Sequence, residues 1–324
     1  MKDFAGKIAV VTGGGSGMGR ELVRQLAAEG CSIAMCDVFQ WTMDETRALC
    51  DADRILQGVR ITSHLLDVSD EDQVLHFRGE VAEQLQTDKI HLLFNYAGIG
   101  GGGGGSLFTD SREVWDKTFG VCWFGVYFMT RAFLPMLVKA DEGHIVNTSS
   151  LNGFWASLGS QTSHTAYSAA KFAVKGFTEA LITDLRINAP HVHCSLVCPG
   201  HIGTNIAINS RMVLAGSESQ EMSAAEFAAA RARMRALGID ADQIADDQIK
   251  AQVAAMCEAF RDNAPMTDAQ AAKVMLDAVK ADRWRVLVGE DSKRLDEMVR
   301  KDPERAYDPD FFTLFADMPQ ATRP

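Results

Sequence analysis

Short apolar runs alternate along this chain with stretches whose apolar residues recur at helical spacing. Lys7–Thr12 (KIAVVT) is a β-branched run that predicts a strand, and residues 19–29 follow with helical periodicity. Ser32–Asp37 (SIAMCD) predicts a second strand, and residues 42–56 a second helix. Arg60–Leu66 predicts a third strand, after which Ser69 can cap a helix running to about Leu85. Ile90–Asn95 (IHLLFN) is the fourth, followed by a helical stretch over 111–138. His144–Thr148 (HIVNT) is the fifth and His191–Val197 the sixth, with a helix over 164–181 between them. Strands alternating with helices of this length predict βαβ units. The expected class is therefore α/β, a doubly wound parallel sheet of Rossmann type with about seven strands. Such sheets bind ligands at the carboxyl ends of their strands.

Residues 205–266 break the alternation. They are rich in Ala, Glu, Arg and Met and predict two helices, about 223–237 and 241–261, the first with a capping box of Ser223 and Glu226. Trp284–Val288 (WRVLV) predicts a last strand, and the tail beyond it is polar, with Pro303 and Pro309. No linker-like segment or internal repeat divides the chain. Residues 1–290 thus read as one domain carrying a helical insertion at 205–266, a candidate substrate lid, and 291–324 as a C-terminal extension.

Composition narrows the partners. The 324 residues are 47% hydrophobic and 23% charged, as in an ordinary folded protein, with a formal net charge of −11. That charge argues against nucleic acid and anionic membranes as partners. The 7 cysteines have neither CxxC spacing nor a Cys/His cluster, so no metal site or disulfide framework is expected. No N-terminal signal and no apolar stretch of about 20 residues is evident, so a cytoplasmic location without a membrane span is expected.

Directly after the first strand comes TGGGSGMGR, with Gly13, Gly17 and Gly19 before a helix and Ser16 and Met18 among them. Glycine lets the backbone turn tightly and approach a pyrophosphate without a Cβ in the way. The following helix N-terminus then offers free N–H groups to the anion. Asp37, ending the second strand, can accept from adenosine ribose hydroxyls and would repel a 2′-phosphate. Residues 13–18 contain no Arg or Lys to offset it, so NAD is favoured over NADP.

The stretch HTAYSAAKFAVKGFTEAL, residues 164–181, sets Tyr167 and Lys171 on one helix face, a turn apart. A surface pair is the ordinary reading of that spacing, but three further phrases alter it. They are NYAG at 95–98, VNTSS at 146–150 and CPGHIGT at 198–204, each at a strand's carboxyl end. With the glycine loop and Tyr-Ser-Ala-Ala-Lys they resemble the short-chain dehydrogenase/reductase family in its ordinary, non-extended form. The resemblance covers about residues 5–204 and resumes at the last strand. It implies that Tyr167 is the general acid/base, Ser150 polarises the substrate oxygen, and Lys171 holds the nicotinamide ribose. It further implies that Asp67 and Val68 contact adenine, and that Asn95 steadies the central strand beside Ala97 and Gly98. Pro199, Gly200, Ile202 and Thr204 would form the loop at the nicotinamide. A phenol titrates near 10, whereas an ammonium about 5 Å away at an effective dielectric of about 20 is worth about 3 kcal/mol, or about two pKa units. Lys171 is accordingly expected to lower Tyr167, with the oxidised nicotinamide adding a second positive charge.

One position departs from the family pattern. Val121-Cys122-Trp123-Phe124-Gly125 puts Cys122 where the family usually has an asparagine that bends the helix and holds a water near the lysine. Helix packing, a thiol in a proton relay, and slowed catalysis are the three readings of Cys122. Ser149 could compete with Ser150. Leu151, Phe154, Trp155, His164 and Met212 are candidates for the substrate pocket, and the six glycines of Gly100–Gly105 for a flexible loop or a mobile lip beside it. The apolar insertion suggests a bulky hydrophobic secondary alcohol or ketone of terpenoid, steroid or aryl type, with no metal. A homo-oligomer, dimer or tetramer, is implied through the helices holding Cys122 and Tyr167. The alternatives are a non-catalytic NAD-binding sensor or scaffold, an NADP-linked carbonyl reductase and, least of all, an extended-type epimerase or dehydratase.

Overall fold

The computed structural model describes residues 1–53, 56–100, 105–108, 110–157, 163–216, 221–236 and 238–311. Ile8–Thr12 (β1) is almost wholly buried, leads through the glycine loop into Gly17–Ala28 (α1), and pairs in parallel with Ser32–Asp37 (β2). Gln40–Ala52 (α2) crosses to Ile61–Leu65 (β3), and Glu71–Gln84 (α3) to Leu92–Asn95 (β4). Arg112–Phe119 (α4) runs through a π-helical turn, Gly120–Phe124, into Gly125–Val138 (α5) and then Gly143–Thr148 (β5). Thr165–Asn188 (α6) leads to Val192–Pro199 (β6). The order β3-β2-β1-β4-β5-β6 is closed by Arg285–Val288 as the seventh strand, and every pairing is parallel. Strands covered by helices on both faces need no polar side, which is why their sequences read as continuous apolar runs.

One core, on the face of α3, α5 and α6, gathers Phe77, Met129, Phe133, Leu137 and Leu181. The opposite core gathers Leu22 and Leu26 of α1 with Met35, Phe94, Met275 and Val279. The sheet changes direction between β1 and β4, so the loops after these two strands diverge and open a crevice between them.

The insertion is more helical than its sequence suggests. Ile202–Gly203 (β7) precedes it, and Ile206–Ala215 (α7), Ala224–Ala236 (α8) and Asp246–Asp262 (α9) make it up. Met266–Thr267 (β8) then pairs with β7 as a two-stranded sheet. The Ser223–Glu226 capping box is present: Ser223 N donates to the Glu226 carboxylate at 2.7 Å and Glu226 N to Ser223 Oγ at 3.3 Å. Asp268–Lys280 (α10), started by a Thr267–Gln270 capping box, packs on α1. The seventh sheet strand, Arg285–Val288, is β9.

Several expectations are corrected. Asp70, not Ser69, caps α3, because its carboxylate accepts from Gln73 N at 3.1 Å while Ser69 is turned to Asp67. The second helix ends at Ala52, and its projected last residues fall partly outside the described ones. The polar tail forms Glu290–Lys301 (α11), whose Leu295 is fully buried. The segment Arg112–Val138 is long and apolar enough by length and composition to cross a membrane, contrary to the reading of its sequence. Of its most apolar window, 56% is buried inside the fold, where α5 supplies the core helix.

Candidate active site

The glycine loop follows β1 into the crevice. Gly13 has φ +69, and a Cβ there would lie 3.0 Å from Ala97 Cα; a Cβ on Gly19 would lie 2.0 Å from Gly13 O. Side chains are thus excluded where the loop turns and where α1 meets it. Ser16, the N-cap of α1, makes no side-chain capping bond, so the first amides of the helix face the groove unpaired by it. Gly13, Ser16, Gly17, Met18 and Gly19 line one side of this groove, with Asp37, Asp67, Val68, Ala97, Gly98 and Thr204 around it. The bare turn, the free helix start and the carboxylate at the β2 end fit a dinucleotide.

Asp37 is held by main chain. Its Oδ2 accepts from Gly15 N at 3.0 Å and its Oδ1 from Val38 N at 2.8 Å. Burial raises its pKa, against those bonds and the nearby Arg20. Arg20 is a cation that residues 13–18 did not disclose, but its guanidinium is committed to Gly15 O at 2.7 Å and Glu45 at 2.7 Å. Asp67 bonds Lys117 and the Ser69 hydroxyl; burial works against its charge, yet these partners hold it below the usual carboxylate range.

Asn95, Pro199, Gly200 and Ile202 are held by the fold around the groove. Asn95 faces inward, donating to Asn147 Oδ1 at 2.8 Å and Thr130 Oγ1 at 3.0 Å, while Asn147 donates to Thr178 of α6 at 3.0 Å. This buried chain ties β4 to β5, α5 and α6, and so positions the site without touching the groove. Ile202 is buried in the core and paired in β7. Pro199 ends β6, and Gly200 packs against Asp291, whose carboxylate accepts from His201 N at 2.6 Å. Tyr96 lines the groove and its hydroxyl donates to Met18 Sδ at 2.8 Å, a contact no motif announces.

Tyr167 and Lys171 meet just beyond Gly98. Lys171 Nζ is 5.4 Å from the Tyr167 ring centre and donates to Thr148 O at 2.9 Å. A Cβ on Gly98 would sit 3.6 Å from that nitrogen, so the loop after β4 closes directly on it. Ser150 hydrogen-bonds the Tyr167 phenol and accepts from Asn152 N at 3.1 Å. Ser149 instead donates to Lys171 O at 2.8 Å, which removes it as a competitor. Burial raises the Tyr167 pKa above its ordinary value and lowers that of Lys171. The direction runs against the expectation that Lys171 by itself brings the phenol down: desolvation, with the Cys122 thiol adding to it, outweighs the lowering by Ser150.

Cys122 lies in the π turn, buried, with its thiol on both main-chain groups of Ile99. The bend is thus made with cysteine, and the thiol serves packing and loop attachment. His164 stacks on Tyr167, ring centres 4.6 Å apart. Trp155 does not line a pocket: its indole donates to Ala306 O at 2.7 Å and packs on Leu295 and Phe311, with Leu151 and Phe154 leaning on the same cluster. The C-terminal segment covers it. Met212 is a buried residue of α7, whose Ile206, Asn209 and Val213 reach the groove. Gly100 and Gly105 are ordered contacts, and the remainder of that run lies outside the described residues. Another depression, of about 500 Å³, lies against β9 and holds none of the motif residues. No metal-ligand cluster occurs among the described residues.

The short chain dehydrogenase family model matches residues 7–215. The chain is a short-chain dehydrogenase/reductase. Two relatives and one solved structure place this member of the family further. SadH of Mycobacterium tuberculosis, an oxidoreductase by name, is 38% identical over 231 residues, 70% of this chain and 77% of its own. Meso-2,3-butanediol dehydrogenase of Serratia marcescens is 35% identical over 208 residues, 63% of this chain and 74% of its own. A short-chain dehydrogenase/reductase from Burkholderia phymatum, solved in complex with NAD, superposes with a TM-score of 0.75 at 28% identity, covering 99% of this chain and 100% of that one. The short-chain dehydrogenase/reductase here is accordingly an oxidoreductase with a Rossmann-like seven-stranded parallel sheet.

Proposed function

We propose that this chain is an NAD-dependent dehydrogenase that interconverts a secondary alcohol and its ketone, with Tyr167 as general acid/base. The carrying observation is the half-buried Tyr167 phenol, set beside Ser150 and with its ring centre 5.4 Å from Lys171 Nζ, whose nitrogen lies against Gly98 at the rim of the glycine-loop groove. Ser150 holds the substrate oxygen against the phenol. Tyr167, as phenolate, takes the hydroxyl proton while the carbinol C–H bond delivers its electron pair; ketone formation thus releases one proton to Tyr167 and one hydride. Bound NAD⁺ supplies the hydride acceptor and a positive charge that favours the phenolate. Lys171 holds the ribose and keeps its ammonium on Thr148 O.

NAD over NADP is supported by the Asp37 carboxylate at the β2 end, by Arg20 being engaged with Gly15 and Glu45, and by the NAD in the Burkholderia structure. A hydrophobic carbon skeleton is supported by the apolar composition of α7, whose Ile206 and Val213 cover the cofactor groove. The aromatic row Trp123, Phe124, Tyr127, Phe128 and Phe177, with Phe124 and Phe172 exposed, supports self-association through α4–α6.

Titrating NADH and NADPH against the protein and assaying NAD⁺ reduction by a panel of aliphatic, cyclic, aryl, terpenoid and steroid secondary alcohols tests this function. NADH binds more tightly, and Asp37→Ala narrows the gap. Equal affinity in the native protein contradicts the cofactor assignment, and silence across the panel with NADH bound moves the reading to a sensor.

A further inference from the structure

His164 is the N-terminal cap residue of α6, three positions before Tyr167, and its side chain makes no capping bond. Its ring is fixed from two directions by the described ends of the glycine run. Nε2 lies 2.8 Å from Gly100 O, while Gly105 packs on the His164 main chain and its carbonyl takes Thr165 N at 2.9 Å and Thr165 Oγ1 at 2.5 Å. A carbonyl only accepts, so Nε2 carries the proton and Nδ1 presents a lone pair. That lone pair has no hydrogen-bond partner among the described residues, although the residue is only 7% exposed. Burial lowers the imidazole pKa, which keeps the ring neutral and the lone pair available.

A buried, unpartnered acceptor is uncommon and calls for an explanation. Here its place supplies one. The imidazole stacks on the Tyr167 ring at 4.6 Å and 25°, so the unpartnered nitrogen belongs to a ring packed face to face on the one that carries the proposed acid/base. A group that satisfies it must donate a hydrogen bond and lie next to the carbinol. We propose that His164 Nδ1 accepts from a second hydroxyl on the carbon adjacent to the reacting one, so that the preferred substrates are vicinal diols and the corresponding α-hydroxyketones. This rests on the dehydrogenase reading of the same site and narrows its substrate class. A site that leaves a buried acceptor unpaired discriminates strongly against an analogue lacking the donor. His164 is thus a specificity residue, touching substrate but not exchanging the reacting proton.

Binding to the enzyme–NADH complex, read from NADH fluorescence, tests this without turnover. The probes are cyclohexane-1,2-diol against cyclohexanol, and butane-2,3-diol against butan-2-ol. His164→Phe keeps the stacked ring and removes the acceptor, whereas His164→Asn keeps a side-chain acceptor near the Nδ1 position; both lose the bond to Gly100. The native protein and His164→Asn are expected to bind the diol at least about tenfold more tightly than the mono-alcohol, and His164→Phe to lose that preference. Absence of a diol preference in the native protein, or its survival in His164→Phe, overturns the assignment. The two levels fail separately. A diol preference without NAD⁺ reduction removes the catalytic reading and leaves His164 as the hydroxyl acceptor, while NAD⁺ reduction without the preference does the reverse.

Discussion

Cys122 and Ile99 are hydrogen-bonded in both directions. The thiol donates to Ile99 O at 3.3 Å and accepts from Ile99 N at 3.5 Å. One side chain thereby joins the π turn between α4 and α5 to the loop whose Gly98 closes on Lys171. A thiol is a weak partner at each end, but the pair is fully buried and leaves neither main-chain group orphaned.

Cys122→Ala removes both bonds and leaves a small void, for an expected loss of about 1–2 kcal/mol of stability. The loop after β4 loosens with it, so kcat falls more than the affinity for NADH. Cys122→Asn restores a donor and an acceptor and keeps the turn. Denaturant melts with turnover and NADH titrations on the two variants check this; an alanine variant of native stability and kcat contradicts it.

Asn209 of α7 donates to Ser16 Oγ at 2.8 Å, and Ser210 Oγ accepts from Gly100 N at 2.7 Å. The helix is pinned to the phosphate loop on one side and the glycine run on the other. Asn209→Ala cuts the first tie, and one such hydrogen bond is worth about 1 kcal/mol, or roughly fivefold. NADH dissociation is expected to accelerate by about that factor in stopped-flow displacement, with thermal stability little changed. An unchanged dissociation rate denies α7 a part in cofactor retention.

His144 is 2% exposed, its Nε2 lies 2.7 Å from Ser195 Oγ, and burial pushes its pKa from 6.5 to about 4. The unfolded chain therefore binds this proton more readily. The contribution to stability is fully present above pH 6.5 and is lost as pH falls from there to about 4, by roughly 3 kcal/mol at most. Unfolding midpoints measured across that window for the native protein and His144→Gln show it. The variant has the shallower slope, and parallel slopes contradict the assignment.

The sheet was legible because its strands are covered on both faces. KIAVVT and SIAMCD needed no alternation to be read, and the glycines between strand and helix located the groove. Tyr167 and Lys171 were legible because helical spacing fixes which residues share a face. The missing parts depend on distant chain. Asn209 and Ser16 stand 193 residues apart, and Trp155 is buried by a main-chain carbonyl 151 residues later, so its apolar ring read as pocket lining. Asn147 and Thr178 lie inside apolar patterns where a polar residue gives no sign of its partner. The Tyr167 pKa went astray for another reason: spacing reveals the neighbouring charge but not the desolvation that opposes it.

The most direct measurement follows the transferred hydrogen. The protein is given NAD⁺ and a secondary alcohol deuterated at the carbinol carbon, and the reduced cofactor is examined by mass spectrometry in the native chain and in Tyr167→Phe. Both forms are expected to bind NADH, and the native chain to yield ketone and singly deuterated NADH. Tyr167→Phe is expected to be slower by at least about a hundredfold, the scale of general acid/base catalysis. Deuterium transfer at the native rate in Tyr167→Phe would contradict the account.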